Sequence, residues 1–242
     1  MKYLFFLYQW FVAAPILVAV SIISSLIVFI GAFIGLGKYT NYYPFRITAK
    51  LYCLLMFTRV KVNGTENIDK DTSYIFIANH QGAYDIFSIY GYLNHKFFWM
   101  MKKSLEKIPL VGYACKKIGH IMVDKTNAIT IKHTMEEAEK RLQGGNSLMI
   151  FPEGARTWNG KMRKFKRGAF ILSKDFKLPI VPITIDGAFK VMPRTTFNVT
   201  PGKIILTIHK PIPAPQNNEE IEHAMQESFN AIESSLPENC KN

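Results

Sequence analysis

The chain carries the sequence YIFIANHQGAYD at residues 74–85. Its first five residues are apolar or aromatic, a pattern typical of a buried β-strand. Gly82 then permits a sharp turn, after which a helix is predicted to begin near Ala83. On one continuous helix, His80 and Asp85 would point about 140° apart, because each residue turns by about 100°. The turn instead allows Asp85 to fold back toward the imidazole ring of His80.

The pair His80 and Asp85 is a candidate catalytic base with a supporting carboxylate. A carboxylate on one ring nitrogen of a histidine fixes the tautomer and makes the other nitrogen a better base. The group that such a base deprotonates is a serine, a cysteine or the substrate itself. The pattern is short, and a histidine that caps a helix start is the alternative interpretation at this point.

A second apolar segment, SLMIF at residues 147–151, runs directly into the polar turn PEGART at 152–157. Because ligands gather at the carboxyl ends of strands in α/β sheets, both polar turns are predicted to open onto one crevice. There Arg156 would present a planar fork of N–H donors to a phosphate or carboxylate. A surface ion pair between Glu153 and Arg156 is the alternative.

From Val60 onward, short β-rich segments alternate with helical patterns, which predicts an α/β fold. We expect a mixed, largely parallel sheet of about seven strands flanked by helices, preceded by a membrane-associated helical segment. The predicted domains are membrane-anchoring helices at 1–58 and an α/β domain at 59–242 that ends in an acidic helix. Strands are predicted near residues 60–63, 74–79, 97–101, 120–123, 147–151, 180–185 and 203–209, and helices near 84–94, 109–118, 127–143, 166–176 and 218–235.

No charged residue occurs from Tyr3 to Gly37, a run of 35 residues. As one helix it would be roughly 50 Å long, against a hydrocarbon core about 30 Å thick. It is therefore long enough to span a membrane, and Pro15 is the expected position of a kink. A cleaved signal peptide is disfavoured because the apolar run is too long, and a buried soluble helix is the remaining alternative.

The positive-inside rule places the main domain in the cytoplasm, at the inner (cytoplasmic) membrane of the cell, because basic residues follow the apolar run. A second helix is predicted at residues 45–58, with Arg46 and Lys50 on one face and apolar side chains opposite. Such a helix suits the membrane interface, and an ordinary core helix is equally consistent. The basic residues after the run are Lys38, Arg46, Lys50, Arg59 and Lys61.

The net charge of +12 is unevenly distributed. Residues 216–242 carry six glutamates and one lysine, a net −5 that leaves +17 on the rest of the chain. A body this basic indicates an anionic partner, and no nucleic-acid-binding motif accompanies the charge. The densest basic run is predicted to bind anionic membrane lipids or an acidic acyl carrier. The alternative is a solvated face without a binding role. It consists of Lys161, Arg163, Lys164, Lys166 and Arg167.

The three cysteines predict neither a disulfide framework nor a zinc site, because they are odd in number, widely spaced and without a Cys-x-x-Cys pair. No metal site is expected elsewhere, since the lone histidines lack the spacing of metal ligands. Reduced thiols fit a protein that faces the cytosol. The cysteines are Cys53, Cys115 and Cys240.

Four blocks of this sequence together resemble the glycerolipid acyltransferase family, whose type member makes phosphatidic acid from 1-acyl-glycerol-3-phosphate. The segment from Asn79 to Asp85 is similar to the family's His-x4-Asp motif, and the segment from Gly119 to Lys125 to its second block, which usually ends in Arg. Residues 151–157 are similar to the Phe-Pro-Glu-Gly-Thr-Arg-Ser block, with two departures, and residues 181–183 to the short fourth block. The departures are Ala155 and Thr157.

The resemblance implies that His80 takes the proton of the sn-2 hydroxyl of 1-acyl-sn-glycerol-3-phosphate, with Asp85 as its orienting carboxylate. The hydroxyl oxygen would then attack the thioester of acyl-CoA or acyl-carrier protein. Because the acceptor alcohol is itself the nucleophile, no acyl-enzyme is needed, which agrees with the absence of a Gly-x-Ser-x-Gly motif from the sequence. The resemblance calls for no metal and no organic cofactor.

The same resemblance implies a substrate-binding set of Glu153, Gly154, Arg156 and Lys125. Arg156 would hold the acceptor phosphate, with Lys125 adding to it by analogy with the usual Arg. A lysine at this position keeps the charge but loses the bidentate fork. Glu153 and Gly154 would shape the turn that places Arg156.

The predicted product is therefore phosphatidic acid for phospholipid synthesis, made by a 1-acylglycerol-3-phosphate O-acyltransferase with lysophosphatidic acid as acceptor. The nearest alternative is the same chemistry on glycerol-3-phosphate, a lysophospholipid or a lyso-aminolipid. A membrane lipid hydrolase would use His80 and Asp85 to activate water instead. A third class is a membrane-bound lipid- or nucleic-acid-binding module without catalysis.

Overall fold

A computed structural model of the chain describes residues 2–36, 40, 42–108, 111–123, 136, 138–140, 142 and 146–241. Most of the helix predicted at 127–143 lies outside the described residues. The strands in the described part are β1 Thr58–Asn63, β2 Ile75–Ala78, β3 Phe97–Lys102, β4 Ile121–Val123, β5 Ser147–Ile150, β6 Ile180–Asp186 and β7 Gly202–Ile208. The helices are α1 Lys2–Tyr8, α2 Ala14–Phe33, α3 Tyr43–Leu55, α4 Tyr84–Tyr92, α5 Val111–Ile118, α6 Gly168–Phe176, α7 Ala188–Val191 and α8 Asn218–Ser234.

The seven strands form one sheet in the order β1-β7-β6-β2-β5-β3-β4. Every neighbouring pair is parallel except β6 and β7, which are antiparallel. The predicted mixed, largely parallel sheet is therefore confirmed. Parallel strands need covering on both faces, and β2 shows this directly, because its side chains alternate between two cores. Phe76 and Ala78 belong to one core, and Ile75 and Ile77 to the other.

The central strands β2 and β5 are parallel neighbours, with Ile77 opposite Ile150. Their carboxyl ends consequently lie at the same edge of the sheet. This register brings together the turn that follows Ala78 and the turn that follows Ile150, which are the two polar turns of the sequence. The fold therefore places the two polar turns beside each other at one edge of the sheet, where ligands bind in α/β sheets.

The apolar N-terminal run forms a helix over Tyr3–Phe33, and in the described part of the chain it alone is long and apolar enough to cross a membrane by length and composition. A π-helical stretch at Gln9–Ala13 joins α1 to α2. This irregularity lies just before Pro15, whose ring has no N–H for the carbonyl four residues earlier. The break in regular α-helical bonding that proline predicts is present at this point.

Helix α3 packs between α2 and α4, and Ser24 Oγ lies 2.7 Å from Thr48 Oγ1 across the contact with α2. On its basic face, Arg46 donates to Asn94 Oδ1 at 3.3 Å, whereas Lys50 is exposed. One face of this helix is buried in the core while apolar side chains stay exposed on another, so both interpretations, a core helix and a helix at the membrane interface, stay open. The exposed side chains are Tyr43, Ile47 and Leu54.

Candidate active site

The turn between β2 and α4 holds His80 against Asp85. The Nδ1 atom of His80 lies 2.7 Å from Asp85 Oδ2. The same carboxylate oxygen accepts the backbone N–H groups of Gln81 at 2.6 Å and Gly82 at 2.9 Å. Asp85 is completely buried, whereas the His80 side chain is 14% exposed. One carboxylate thus orders both the turn and the ring, and it leaves Nε2 of His80 as the nitrogen that can accept a proton from another group.

An aromatic stack fixes the plane of the His80 ring. The ring lies on Phe151 with a centroid separation of 3.9 Å and an interplanar angle of 6°. Phe151 in turn stacks on Trp99 at 5.5 Å. From the sequence, Phe151 is predicted to end a strand and to have no further role. Its contact with His80 follows from the parallel pairing of β2 and β5.

Glu153 is buried and links the two turns by hydrogen bonds. Its Oε1 accepts the backbone N–H of His80 at 2.7 Å, and its Oε2 accepts that of Arg163 at 2.9 Å. The backbone N–H of Thr157 donates to the His80 carbonyl at 2.9 Å, which adds a second link. Glu153 is only 2% exposed. A surface pair with Arg156 is therefore wrong, and the described residues show no ion pair between these two side chains.

Burial raises the pKa of Glu153 from an ordinary 4.5 to about 7. The N–H groups of His80 and Arg163 favour the charged form, the charge of Asp85 opposes it, and the loss of water dominates. Because this pKa lies above that of the unfolded chain, the carboxyl contributes most to folding stability below about pH 4.5. That contribution is lost as the pH rises through about 7. The group that supports the His80 backbone therefore changes charge near neutral pH.

The other predicted substrate-binding residues lie on the same turn or outside the described residues. Gly154 is exposed with a φ of +75°, and a Cβ there would lie 3.0 Å from Lys166 Nζ. Arg156 is partly exposed, and its carbonyl accepts a hydrogen bond from Arg194 Nη1 at 3.0 Å. Lys125 lies outside the described residues, so its role beside Arg156 stays a prediction.

Two residues of the site have no role predicted from the sequence. Asn79 is fully buried and pairs with the backbone of Ile185, donating to its carbonyl at 2.9 Å and accepting its N–H at 2.7 Å. This fastens the end of β2 to β6 directly before His80. The other is Arg194, whose guanidinium lies 3.6 Å from the Trp158 ring centroid. Asn79 could have been identified from the sequence, because it directly precedes His80, whereas no motif indicated Arg194.

The partners of His80 limit the chemistry of the site. In the described part of the chain its hydrogen bonds go to Asp85, Glu153 and Thr157, and no serine or cysteine contacts it through a hydrogen bond. The same residues contain no group of three or more His, Cys, Asp or Glu side chains placed to hold a metal ion. A hydroxyl supplied by the substrate is consistent with this arrangement.

The sheet and the two joined turns define an enzyme of the α/β class. The family model "Acyltransferase" matches residues 59–186, which is more than half of the chain. The chain therefore belongs to the Acyltransferase family, and the resemblance in its four sequence blocks is confirmed.

Two sequence relatives support this assignment, and a solved structure has the same fold. The chain is 27% identical over 238 residues to a 1-acyl-sn-glycerol-3-phosphate acyltransferase of Chlamydomonas reinhardtii, covering 97% of this chain and 69% of the relative. It is 28% identical over 182 residues to the enzyme of the same name from Helicobacter pylori, covering 73% of this chain and 76% of that one. The crystal structure of the LPA acyltransferase PlsC from Thermotoga maritima has the same fold, with a TM-score of 0.66 at 24% identity, covering 92% of this chain and 97% of that one.

Replacing Gly82 with alanine should destabilise the catalytic turn. A Cβ at this position would lie 2.6 Å from the carbonyl oxygen of Met192 and 2.7 Å from that of Ala188, and both are backbone atoms that cannot swing aside. We expect a loss of about 1–3 kcal/mol in the free energy of unfolding and a lower kcat, measured by thermal denaturation and by acyl transfer. Gly168→Ala is the matched control, since a Cβ there meets nothing within 4 Å. Equal behaviour of the two variants would contradict this account.

Proposed function

We propose that this chain transfers an acyl group from a thioester donor to the sn-2 hydroxyl of 1-acyl-sn-glycerol-3-phosphate, and so makes phosphatidic acid. The observation that carries the proposal is the buried Asp85 carboxylate 2.7 Å from Nδ1 of His80, at a turn where no described serine or cysteine forms a hydrogen bond with the base. A base arranged in this way needs a hydroxyl from outside the protein. The names of the Chlamydomonas and Helicobacter relatives supply the acceptor.

In the proposed reaction, Nε2 of His80 takes the proton of the acceptor hydroxyl as its oxygen attacks the thioester carbonyl. The tetrahedral intermediate collapses, the C–S bond breaks, and the departing sulfur takes the proton back from the imidazolium. The negative charge of Asp85 stabilises the imidazolium between these two steps. The stack on Phe151 keeps the ring in one plane throughout.

The Arg156 guanidinium binds the acceptor phosphate in this proposal. Arg156 lies on the turn that donates to His80 through Thr157, so a lipid held by its phosphate has its glycerol near the base. Glu153 and Gly154 act by shaping this turn. The two oxygens of Glu153 already bind backbone N–H groups, and the φ of +75° at Gly154 allows the chain to reverse.

A basic cleft of about 410 Å³ supports an anionic acyl donor, either acyl-CoA or acyl-carrier protein. Glu153 also lines this cleft, and its Oε1 accepts the backbone N–H of His80. The cleft therefore adjoins the catalytic turn. Phosphate groups suit such a cluster of cations, and the same charges would attract anionic membrane lipids. The cationic residues that line the cleft are Lys161, Arg163, Lys164 and Lys166.

The apolar helix over Tyr3–Phe33 supports a site at the membrane surface. Acceptor and product are both lipids, and each methylene exposed to water would cost about 0.8 kcal/mol. We place residues 1–58 as the membrane anchor and residues 59–242 as the catalytic domain, on the cytoplasmic face of the inner membrane. The basic residues that follow the apolar run support this orientation.

A thioester-release assay with lysophosphatidic acid tests the proposal. The purified protein is given acyl-CoA or acyl-carrier protein, and both thiol release and phosphatidic acid are measured. Equal rates of the two, dependent on the acceptor, are the expected result. Failure with every phosphate-bearing acceptor would overturn the assignment, and fatty acid release that the acceptor leaves undiminished would identify a hydrolase.

Replacing Arg156 with alanine should raise the KM for lysophosphatidic acid by about 10- to 100-fold, because hydrogen bonds to a charged group are lost, while kcat changes little. Arg156→Lys should be intermediate, since it keeps the charge without the fork. Arg59→Ala is the matched control, because Arg59 is exposed on the edge strand β1. An acceptor KM in Arg156→Ala equal to that of the control would remove Arg156 from the phosphate site.

A further inference from the structure

Arg194 lies beside the turn that carries Arg156, although the two residues are 38 positions apart in the sequence. Its Nη1 donates to the Arg156 carbonyl at 3.0 Å, and its guanidinium centre lies 3.6 Å from the ring centroid of Trp158. A hydrogen bond at one edge and an aromatic ring against one face fix both the position and the plane of the guanidinium.

One peptide group connects Arg194 to the catalytic base. The carbonyl of the Arg156–Thr157 peptide accepts from Arg194, and the N–H of the same peptide donates to the His80 carbonyl at 2.9 Å. With standard peptide bond lengths, Arg194 Nη1 lies at most about 8.5 Å from the His80 carbonyl oxygen. Arg194 is thus a near neighbour of the catalytic turn.

Most of the hydrogen-bonding capacity of Arg194 is unused within the described part of the chain. An arginine has five N–H donors, and a single one of them is engaged there, by the Arg156 carbonyl. No described carboxylate forms an ion pair with Arg194. The ring that supports it is accessible, because Trp158 is 65% exposed. A positioned guanidinium with free donors at an exposed surface is suited to binding an anion.

The segment that follows Arg194 docks on the apolar N-terminal helix. The side-chain amide of Gln9 donates to the Phe197 carbonyl at 2.8 Å and accepts the N–H of Val199 at 2.9 Å. Gln9 is 3% exposed, so this bond pair is buried, whereas the Phe197 side chain beside it is 77% exposed. Trp10 of the same helix donates to Asn198 Oδ1 at 3.1 Å, and tryptophan is enriched at membrane–water interfaces. Arg194 therefore lies on the side from which a membrane lipid would approach.

We propose that Arg194 is a second phosphate ligand of the acceptor site, which binds the phosphate monoester of a single-chain lipid together with Arg156. This inference rests on the proposed function. A phosphate monoester carries a charge of about −1.5 to −2 near neutral pH, and two guanidinium groups match that charge better than one. Arg156 binds it from the catalytic turn, and Arg194 from the membrane side.

Arg194→Gln is the decisive variant, because it removes the charge and the terminal N–H groups of the guanidinium but keeps a polar side chain. We expect Arg194→Gln and Arg194→Ala to raise the KM for lysophosphatidic acid by about 10- to 100-fold, with kcat little changed and Arg194→Lys in between. If Arg194 only supports the turn that carries His80, both Arg194→Gln and Arg194→Ala will lower kcat and leave the acceptor KM near that of the wild type, and the proposal falls. Arg59→Ala serves again as the control for loss of an exposed arginine.

Binding of glycerol 3-phosphate, measured by calorimetry on the resting enzyme, separates this inference from the proposed function. Weaker binding in Arg194→Gln supports the phosphate role even if the wild type fails to acylate lysophosphatidic acid, which would overturn the proposed function alone. Normal turnover of lysophosphatidic acid with unchanged acceptor KM and unchanged glycerol 3-phosphate binding in Arg194→Gln would overturn the inference and leave the function intact.

Discussion

The His80→Ala variant is expected to lose about 10³-fold in kcat, within the range of 10²–10⁴ typical of a general base. Without the imidazole, nothing in the described site is positioned to take the proton of the acceptor hydroxyl. The acceptor KM should stay near that of the wild type, because Arg156 and Arg194 are unchanged. The measurement is thioester release under saturating donor, beside a thermal denaturation curve.

His223→Ala is the matched control for this variant. The side chain of His223 is 81% exposed on α8, and its nearest ionic partner is Glu227 at 3.8 Å. We expect wild-type turnover and stability from it. A His80→Ala protein that melts normally and keeps turnover within tenfold of the wild type would exclude His80 as the base. A pure lipid-binding module would show no turnover even in the wild type.

The Asp85→Asn variant should lower kcat by about 10²- to 10³-fold, and the structure indicates why. The Oδ2 position accepts three donors, from His80, Gln81 and Gly82, so the oxygen of the new amide must occupy it. The tautomer of His80 is then retained, and the loss comes from the missing negative charge beside the imidazolium. The amide nitrogen takes the place of Oδ1, which has no hydrogen-bond partner among the described residues.

A buried amide nitrogen without an acceptor should also cost about 1–3 kcal/mol of stability. Unfolding and turnover are therefore measured together, at a temperature where the variant is folded. Asp175→Asn is the matched control, because the Asp175 side chain is 52% exposed, and both quantities should be unchanged in it. In a double variant with His80→Ala, the substitution at Asp85 should add little further loss of kcat, since the carboxylate acts through the ring. If the kcat losses of the two single variants multiplied in the double variant, Asp85 would act on a group other than His80.

Local features of the sequence predicted those parts of the site whose members are close along the chain. Four residues lie between His80 and Asp85, and the turn at Gly82 is among them. Local backbone geometry therefore determines whether the two side chains can meet. The strands that precede the two polar turns were visible as apolar segments, and parallel pairing then placed their ends at one edge. The burial of Glu153 and its raised pKa were not visible, because they depend on the loss of water when distant parts of the chain pack around it.

The sequence by itself determined the α/β class, the apolar N-terminal helix, the His80–Asp85 pair and the position of Arg156, because each depends on local periodicity or on short-range geometry. Only the tertiary structure decided the stack of Phe151 on His80, the attachment of Gln9 to the segment at Phe197 and the place of Arg194. These contacts join residues 71, 188 and 38 positions apart, respectively. Each of these contacts forms only after the sheet has brought its strands together, so no local sequence pattern specifies it.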